Sequence, residues 1–528
     1  MYRKLIITAL ICTGLVLSAG AELQNVCVGG EIRIMANYVT NWAAQPAPLA
    51  PRWAPGLLPK RPIGDFFSGA PANGGAGIWS PYSWDNDMSH GFDFVEQRTK
   101  LNVKADFTDG VTAFIELDSY DVWGQDFRSD YITGADFAAS SVDDVEIYQA
   151  YIEANDMFGL PLRARVGRQE LVFGNEWLVG NMDNGPFFIG RSFDGARLTY
   201  ATDTFSVDAF ATILAEGGAA EEDGDVTFYG VYASCTAVEN HVFDLYWLYL
   251  RDPRSLNDTA FVAPIEWLED LFGLDDYDAT QLHTFGLRAG GAWAGLDYNL
   301  EAAYQMGDAG QVGFGFKPGI YGDDDAEYDT WALKADLGYT IDVMWMPRVF
   351  AGYSYYGGED NRDLTVWEWL NPFYTPEASV SFNRLFSDQF YCGFFDLQKN
   401  FSNFQTARVG VIAHPLEALD VYFELAYYEA LEPFSAPLHV SFGGFRFPVA
   451  PNLSFLDQES EDDLGFTTNL VFTYHYSEDV MINLQWAHLF AGDGLDDGNF
   501  TAWNGLLFDG GTSADDSDYM SVDMRIKF

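Results

Sequence analysis

Arg163 and Arg165 stand on one side of an alternating stretch whose other side is Leu162, Ala164 and Val166. Arg197 is set in the same way against Ala196, Leu198 and Tyr200. A guanidinium presents a planar fork that matches a carboxylate in pairs, so a surface carrying several of them could bind an anion and hand it on. Arg33, Arg98, Lys100, Lys104, Arg288, Lys334, Arg408, Arg525 and Lys527 also fall in alternating stretches, mostly at the parity opposite the apolar residues. Glu31, Glu96, Asp106, Glu116, Glu153, Asp208 and Glu301 are candidates for the same surface. Two uses therefore remain open: a track for an anionic solute, and salt bridging within a polar lining.

Other chemistry is hard to find. There is no HExxH, GxSxG or phosphate-binding loop, and His283, His414, His475 and His488 are scattered over separate stretches. Neither an enzyme nor a bound cofactor is expected. The acids crowd elsewhere, in Glu221-Glu222-Asp223, Asp323-Asp324-Asp325, Glu459 to Asp463, Asp493 to Asp497 and Asp515-Asp516. Solvated charge is the simplest use for such runs. Clustered carboxylate oxygens are also what Ca²⁺ selects, so calcium at acidic outer loops is the sharper alternative, although no EF-hand spacing fixes a ligand set. With 78 acids against 28 bases the formal net charge is −50, and no nucleic-acid partner is expected.

The elements that would position the arginines have period two, not the helical 3.6. Segments of about ten residues alternate apolar and polar, the length of a tilted membrane strand. Eighteen are legible, from 28–39 and 92–107 at the start to 463–476, 479–490 and 518–528 at the end. The segment 380–397 could hold another strand. Connections are alternately short and long, which implies two compartments. The short ones carry turn chemistry, as in Thr108-Asp109-Gly110, Thr202-Asp203-Thr204, Trp293-Ala294-Gly295 and Ser477-Glu478-Asp479. The long ones, 40–91, 252–280, 357–403 and 430–462, are rich in Gly, Pro, Asp and aromatics and suit extracellular loops. On the last strand Met520, Val522, Met524, Ile526 and Phe528 share one parity while Asp523, Arg525 and Lys527 share the other. Aromatic content of 16% fits a barrel with aromatic girdles. The expected fold is an all-β, single-chain transmembrane antiparallel barrel with short periplasmic turns and long extracellular loops.

The stretches VGRQELVFGNEWLVGN (Val166 to Asn181) and RSFDGARLTY (Arg191 to Tyr200), with VEQRTKLNVKADFTDG (Val95 to Gly110) and VEIYQAYIEA (Val145 to Ala154) upstream, resemble the outer-membrane alginate-export porin family. One departure is Trp177, standing where a basic residue often follows in that pattern. The resemblance implies a conduit for an anionic oligo- or polysaccharide such as a polyuronate. It names Arg98, Arg163, Arg165, Arg168, Gln169, Asp194 and Arg197 as contributors, beside Arg33 and Lys100 from strand parity, with the loop from Phe173 to Ser192 as a candidate constriction. Lipid, the barrel-assembly machinery and periplasmic export components are the partners it implies, in the outer membrane of a Gram-negative bacterium. Two rival readings stand: a general or cation-selective porin with acidic loops, and a calcium-dependent β-rich surface protein.

Residues 1–21 read as a secretory signal peptide and 22–528 as the barrel. Arg3 and Lys4 precede an apolar run from Leu5 to Leu17, and Ala19-Gly20-Ala21 supplies small residues for cleavage. The run is shorter than the roughly 20 residues of a spanning helix. Cleavage would leave Cys27, Cys235 and Cys392, too few for a closed disulfide framework. Mass spectrometry of protein from outer-membrane fractions should find Glu22 at the amino terminus; a chain that keeps its first 21 residues in the inner membrane would refute the assignment.

Overall fold

A computed structural model describes residues 22–43, 89–123, 145–216, 225–253, 279–309, 325–358, 381–394, 401–432, 461–494 and 516–528, with isolated positions and short stretches between 365 and 400 and between 435 and 459. The expected leader, residues 1–21, and most of the long acidic connections lie outside the described residues. Eighteen strands form one closed antiparallel barrel. They are β1 (Leu23–Ala43), β2 (Ser89–Phe107), β3 (Val111–Val122), β4 (Glu146–Ala154), β5 (Leu162–Gln169), β6 (Phe193–Ala201), β7 (Phe205–Ala215), β8 (Val226–Cys235) and β9 (His241–Asp252) in the first half. The second half holds β10 (Thr280–Trp293), β11 (Leu296–Asp308), β12 (Asp325–Thr340), β13 (Arg348–Tyr356), β14 (Phe404–Leu416), β15 (Leu419–Ala430), β16 (Asp463–His475), β17 (Val480–Ala491) and β18 (Ser517–Lys527). No barrel strand arises between 380 and 397 among the described residues; the nearby Glu377–Ser379 makes only a short parallel pairing with the start of β12.

Closure comes from β1 and β18, paired from Glu31 with Lys527 to Val39 with Tyr519. Gly30 N donates to Phe528 O at 2.9 Å and Phe528 N to Gly30 O at 3.1 Å. The Phe528 ring lies over Gly30 so closely that an added Cβ would come within 2.6 Å of it. Closure removes the open edges that a membrane cannot hydrate. The short turns are as expected; in the β10–β11 turn Ala294 and Gly295 both have positive φ, +51° and +85°, the geometry of a tight hairpin whose twist matches its strands.

Parity sorts the side chains. Leu101, Val103, Ile115, Leu198, Leu287, Leu300, Leu337 and Leu484 are exposed on the outer surface, where lipid would cover them. Glu31, Arg33, Glu96, Arg98, Glu116, Asp208 and Glu301 are buried on the inner one. On β18 the predicted alternation holds, with Met520, Val522 and Met524 outside and Asp523 only 4% exposed inside.

The lumen is not hollow. Two connections, 170–192 and 381–403, turn inward and pack against each other and the wall. Leu171, Phe173, Trp177, Leu178, Val179 and Phe188 from the first meet Phe382, Phe394 and Phe401 from the second. Val179 and Phe386 form a parallel bridge between the loops. Trp177 is 1% exposed, stacks near Phe382 and donates through Nε1 to the Tyr356 hydroxyl on β13 at 2.6 Å. The departure at Trp177 thus serves packing: an apolar anchor replaces a base and fastens the loop to the barrel wall.

Two outcomes are expected. Ile115→Arg, near the middle of the lipid face of β3, should destabilise the folded barrel by roughly 2 to 4 kcal/mol, whereas Arg163→Ala on the inner face should not; heat-modifiable migration and denaturant midpoints compare them, and equal behaviour would show the parity to be wrong. Trp177→Ala should remove about 3 to 5 kcal/mol of packing from the inward loops while the barrel still forms, giving a larger and noisier single-channel conductance.

Candidate functional site

Three neighbouring strands deliver three guanidiniums to one point. Arg33 on β1 is the direct cross-strand partner of Arg98 on β2 and of Arg525 on β18. All three share the inward parity. Like charges directly opposite destabilise a sheet, and carboxylates offset the repulsion here. Arg98 Nε donates to Asp118 Oδ2 at 2.8 Å, Arg33 Nη2 to Asp523 Oδ2 at 3.0 Å, and Arg525 Nη2 pairs with Glu31 Oε2 at 2.7 Å.

A fourth carboxylate comes from the loop. Asp183 projects into the middle of the row, with its Oδ2 2.8 Å from Arg525 Nη2 and its Oδ1 3.2 Å from Arg98 Nη1. Arg33 Nη1 donates to the Asp183 carbonyl at 2.6 Å and lies 3.7 Å from its Oδ1. Burial alone would raise the Asp183 pKa, but Arg525, Arg33 and Arg98 together outweigh it and hold the carboxyl below the usual range. Its seat is fixed from behind. Asp388 of the second loop accepts from Asp183 N at 2.9 Å and from Asn184 Nδ2 at 3.1 Å, and is itself paired with buried Lys399. Arg98 also passes so close to Gly190, at φ +85°, that a Cβ there would lie 2.0 Å from Nη2; only glycine fits that backbone.

The other expected residues divide. Lys100 sits 4.4 Å above the Tyr148 ring and within 3.7 Å of Glu116 and 3.8 Å of Glu170, just beside the three-arginine row. Arg165 and Arg197 are cross-strand partners on β5 and β6, another pair of like charges; Arg165 Nη2 binds Glu153 at 2.6 Å and Arg197 Nε binds Asp208 at 2.8 Å. Arg163 is half-exposed near the short-turn end of β5, 3.9 Å from Glu153. Gln169 is buried, donating to Gly195 O at 3.2 Å. Arg168 and Asp194 are corrected: they bind each other at 2.8 Å but lie exposed on the outer surface, because Arg168 shares the parity of Ala164 and Val166. Of the implied contributors, only those two are kept out of the lumen.

On the opposite wall Arg288 Nη1 binds Asp244 at 2.6 Å and its Nη2 reaches Asn175 of the first loop at 2.8 Å. Lys334 donates to Gln389, whose Nε2 donates to Asn175 O at 2.6 Å. Arg408 pairs with Asp336. Beneath Asn175, toward the short-turn end of the barrel, a cavity of about 430 Å³ is lined by His241, Arg288, Tyr298 and Asn299. Within the loops a fully buried pair, Arg384 Nη1 to Asp396 Oδ1 at 2.7 Å, ties the turn around 391 to 401.

Sequence reasoning named the constriction loop but not Asp183, and it read 381–403 as exterior. Nothing in either stretch alternates, and the parity that located the wall arginines has no meaning in a loop. No group of three or more His, Cys, Asp or Glu suited to a metal occurs among the described residues; the acidic runs proposed for calcium lie wholly or partly outside them.

No protein of curated function matches the sequence. Among solved structures the chain resembles OccK8 (OprE) of Pseudomonas aeruginosa, 12% identical over 96% of this chain and 99% of that one, with a TM-score of 0.48. It also resembles OccD3 (OpdP) of the same organism, 10% identical over 97% and 93%, TM-score 0.48. A third likeness is to an anion-selective porin from Comamonas acidovorans, 10% identical over 96% and 99%, TM-score 0.40. The alginate export family profile matches residues 87–505, from the end of the first long connection to beyond β17. Since that match takes in the inward loops as well as most of the wall, the chain belongs to the alginate export family.

Proposed function

We propose that this channel passes an anionic polysaccharide of the polyuronate class through its arginine-lined lumen. The observation that carries the reading is the row of Arg98, Arg33 and Arg525 across three adjacent strands, gathered at the level where the inward loops narrow the path. A uronate entering a narrow lumen loses water from its carboxylate, and fixed guanidinium forks replace that water without reorganising. Arg163, Arg165 and Arg197 nearer the periplasmic side extend the track. Each already leans on a wall carboxylate, which keeps every single site weak. Conduction needs that weakness, because a site that binds too well does not release.

A second reading, the cation-selective porin, is favoured by one specific observation. Each lumen base named from the sequence has an acid within 4 Å, down to Lys104 with Asp106 and Lys527 with Glu31, and the chain's net charge is −50. Distance decides between the two. Exposed loop charges are screened beyond about 8 Å at physiological salt, whereas the arginines meet a solute at contact.

Purified protein in a planar bilayer should therefore show an anion-preferring reversal potential at moderate salt and be blocked by an oligouronate but not by a neutral oligosaccharide of equal length. Replacing Arg163 and Arg165 together by Ala should weaken the block, by up to about fivefold for each partly exposed charge. Cation preference unchanged in the double variant would favour the second reading.

A further inference from the structure

The Asp183 side chain raises a question of its own, because the wall already carries a carboxylate for each guanidinium of the row: Asp118 for Arg98, Asp523 for Arg33 and Glu31 for Arg525. Asp183 is an additional carboxylate, borne on a loop. It takes contacts from three strands at once, and it lies in a loop whose backbone runs through positive φ at Met182 (+60°), Gly185 (+70°) and Phe187 (+56°). The cradle is also not saturated: Arg525 Nε is buried without a hydrogen-bond acceptor among the described residues, while Arg98 Nη2 already faces Asp118 Oδ2 at 2.8 Å. A carboxylate entering there would find, at Arg525, a donor that Asp183 leaves unused.

We propose that Arg33, Arg98 and Arg525 form the principal carboxylate subsite of the channel, and that Asp183 is a built-in occupant which a passing uronate carboxylate displaces. The inference rests on the polyuronate reading and adds to it a site and its regulation. Exchange of one carboxylate for another leaves the charge of the cradle unchanged, so the step requires neither exposing three arginines to one another nor unfolding the apolar part of the loop. Trp177, Leu178 and Val179 stay in their seats while the tip from Asn181 to Gly185 moves. Because the competitor is tethered, its effective concentration is high; the substrate is held weakly, and the path closes again on Asp183 when no substrate is present.

The test compares Asp183→Asn with Asp523→Asn in the full-length protein, both checked for heat-modifiable migration. Each removes one negative charge beside Arg33, but Asp523 belongs to the wall. Short oligogalacturonate is the probe, in single-channel recordings at fixed salt, with the neutral oligosaccharide of equal length as comparison. The expected result is that Asp183→Asn raises affinity for the probe on the order of tenfold, within the usual span of coupling between sites, seen as longer blocking events, and also raises open-channel conductance. Asp523→Asn should raise both affinity and conductance less than Asp183→Asn does. Equal gains in the two variants would overturn the inference, since the effect would then be general charge removal. So would wild-type block by the probe with no gain in Asp183→Asn. Absence of block in every variant, wild type included, would instead refute the polyuronate reading on which the inference stands.

Discussion

Three guanidiniums abreast are the constraint around which the lumen is built. At a strand spacing of about 5 Å and an effective dielectric of about 20, each neighbouring pair of the row costs on the order of 3 kcal/mol in mutual repulsion. A barrel closes only if that cost is offset, and the offset explains much of the inner surface: Asp118 on β3, Asp523 on β18 and Glu31 on β1 each take one arginine. The row spans the seam where β1 meets β18, so its compensation requires residues from opposite ends of the chain to arrive together. Closing the barrel and assembling the site are the same event.

The inward loops follow from a second constraint. An eighteen-stranded wall encloses more space than its own side chains fill, and the aromatic side chains of 170–192 and 381–403 occupy it as a soluble core would. Phe173 stacks on Phe210 and Tyr232, while Phe228 meets Phe386, so apolar burial holds the loops while polar contacts aim their tips. Division of labour of this kind separates stability from recognition. Trp177 can anchor without touching a solute, and Asp183 can be exchanged without loosening Trp177.

How much of this was legible in the sequence depends on periodicity. Period two identified each of the eighteen strands, and with them the inward parity of Arg33, Arg98, Arg163, Arg165, Arg197 and Arg525, because a one-residue error would have placed charges in lipid. Where parity and family resemblance disagreed, parity was the better guide: Arg168 shares a face with Val166, and the structure places it outside with Asp194. Of the plug, the first loop was named only through the family resemblance, as a constriction from Phe173 to Ser192, and the second, 381–403, was not legible. Leu171, Phe173 and Trp177 have the composition of a packed exterior loop, and nothing local distinguishes a loop that turns into the barrel from one that turns away. Nor could cross-strand pairing be read, since which arginine faces which depends on register, set by closure between residues about five hundred apart.

Salt-bridged arginines would seem poor at attracting anything, and the pairing of every named lumen base with an acid could be taken as an argument against an anion path. Geometry weakens that objection. A carboxylate satisfies one edge of a guanidinium, and five N–H donors leave others free; Arg525 retains a buried Nε without an acceptor among the described residues. A wall of neutral pairs also presents a polyanion with many sites of nearly equal depth, which is the condition for sliding rather than capture. An unpaired row would attract a uronate far more strongly and then hold it. The acids beside the arginines are therefore consistent with a transport lining, and what distinguishes the row of Arg98, Arg33 and Arg525 from the rest is that one of its carboxylates is mounted on a loop rather than on the wall.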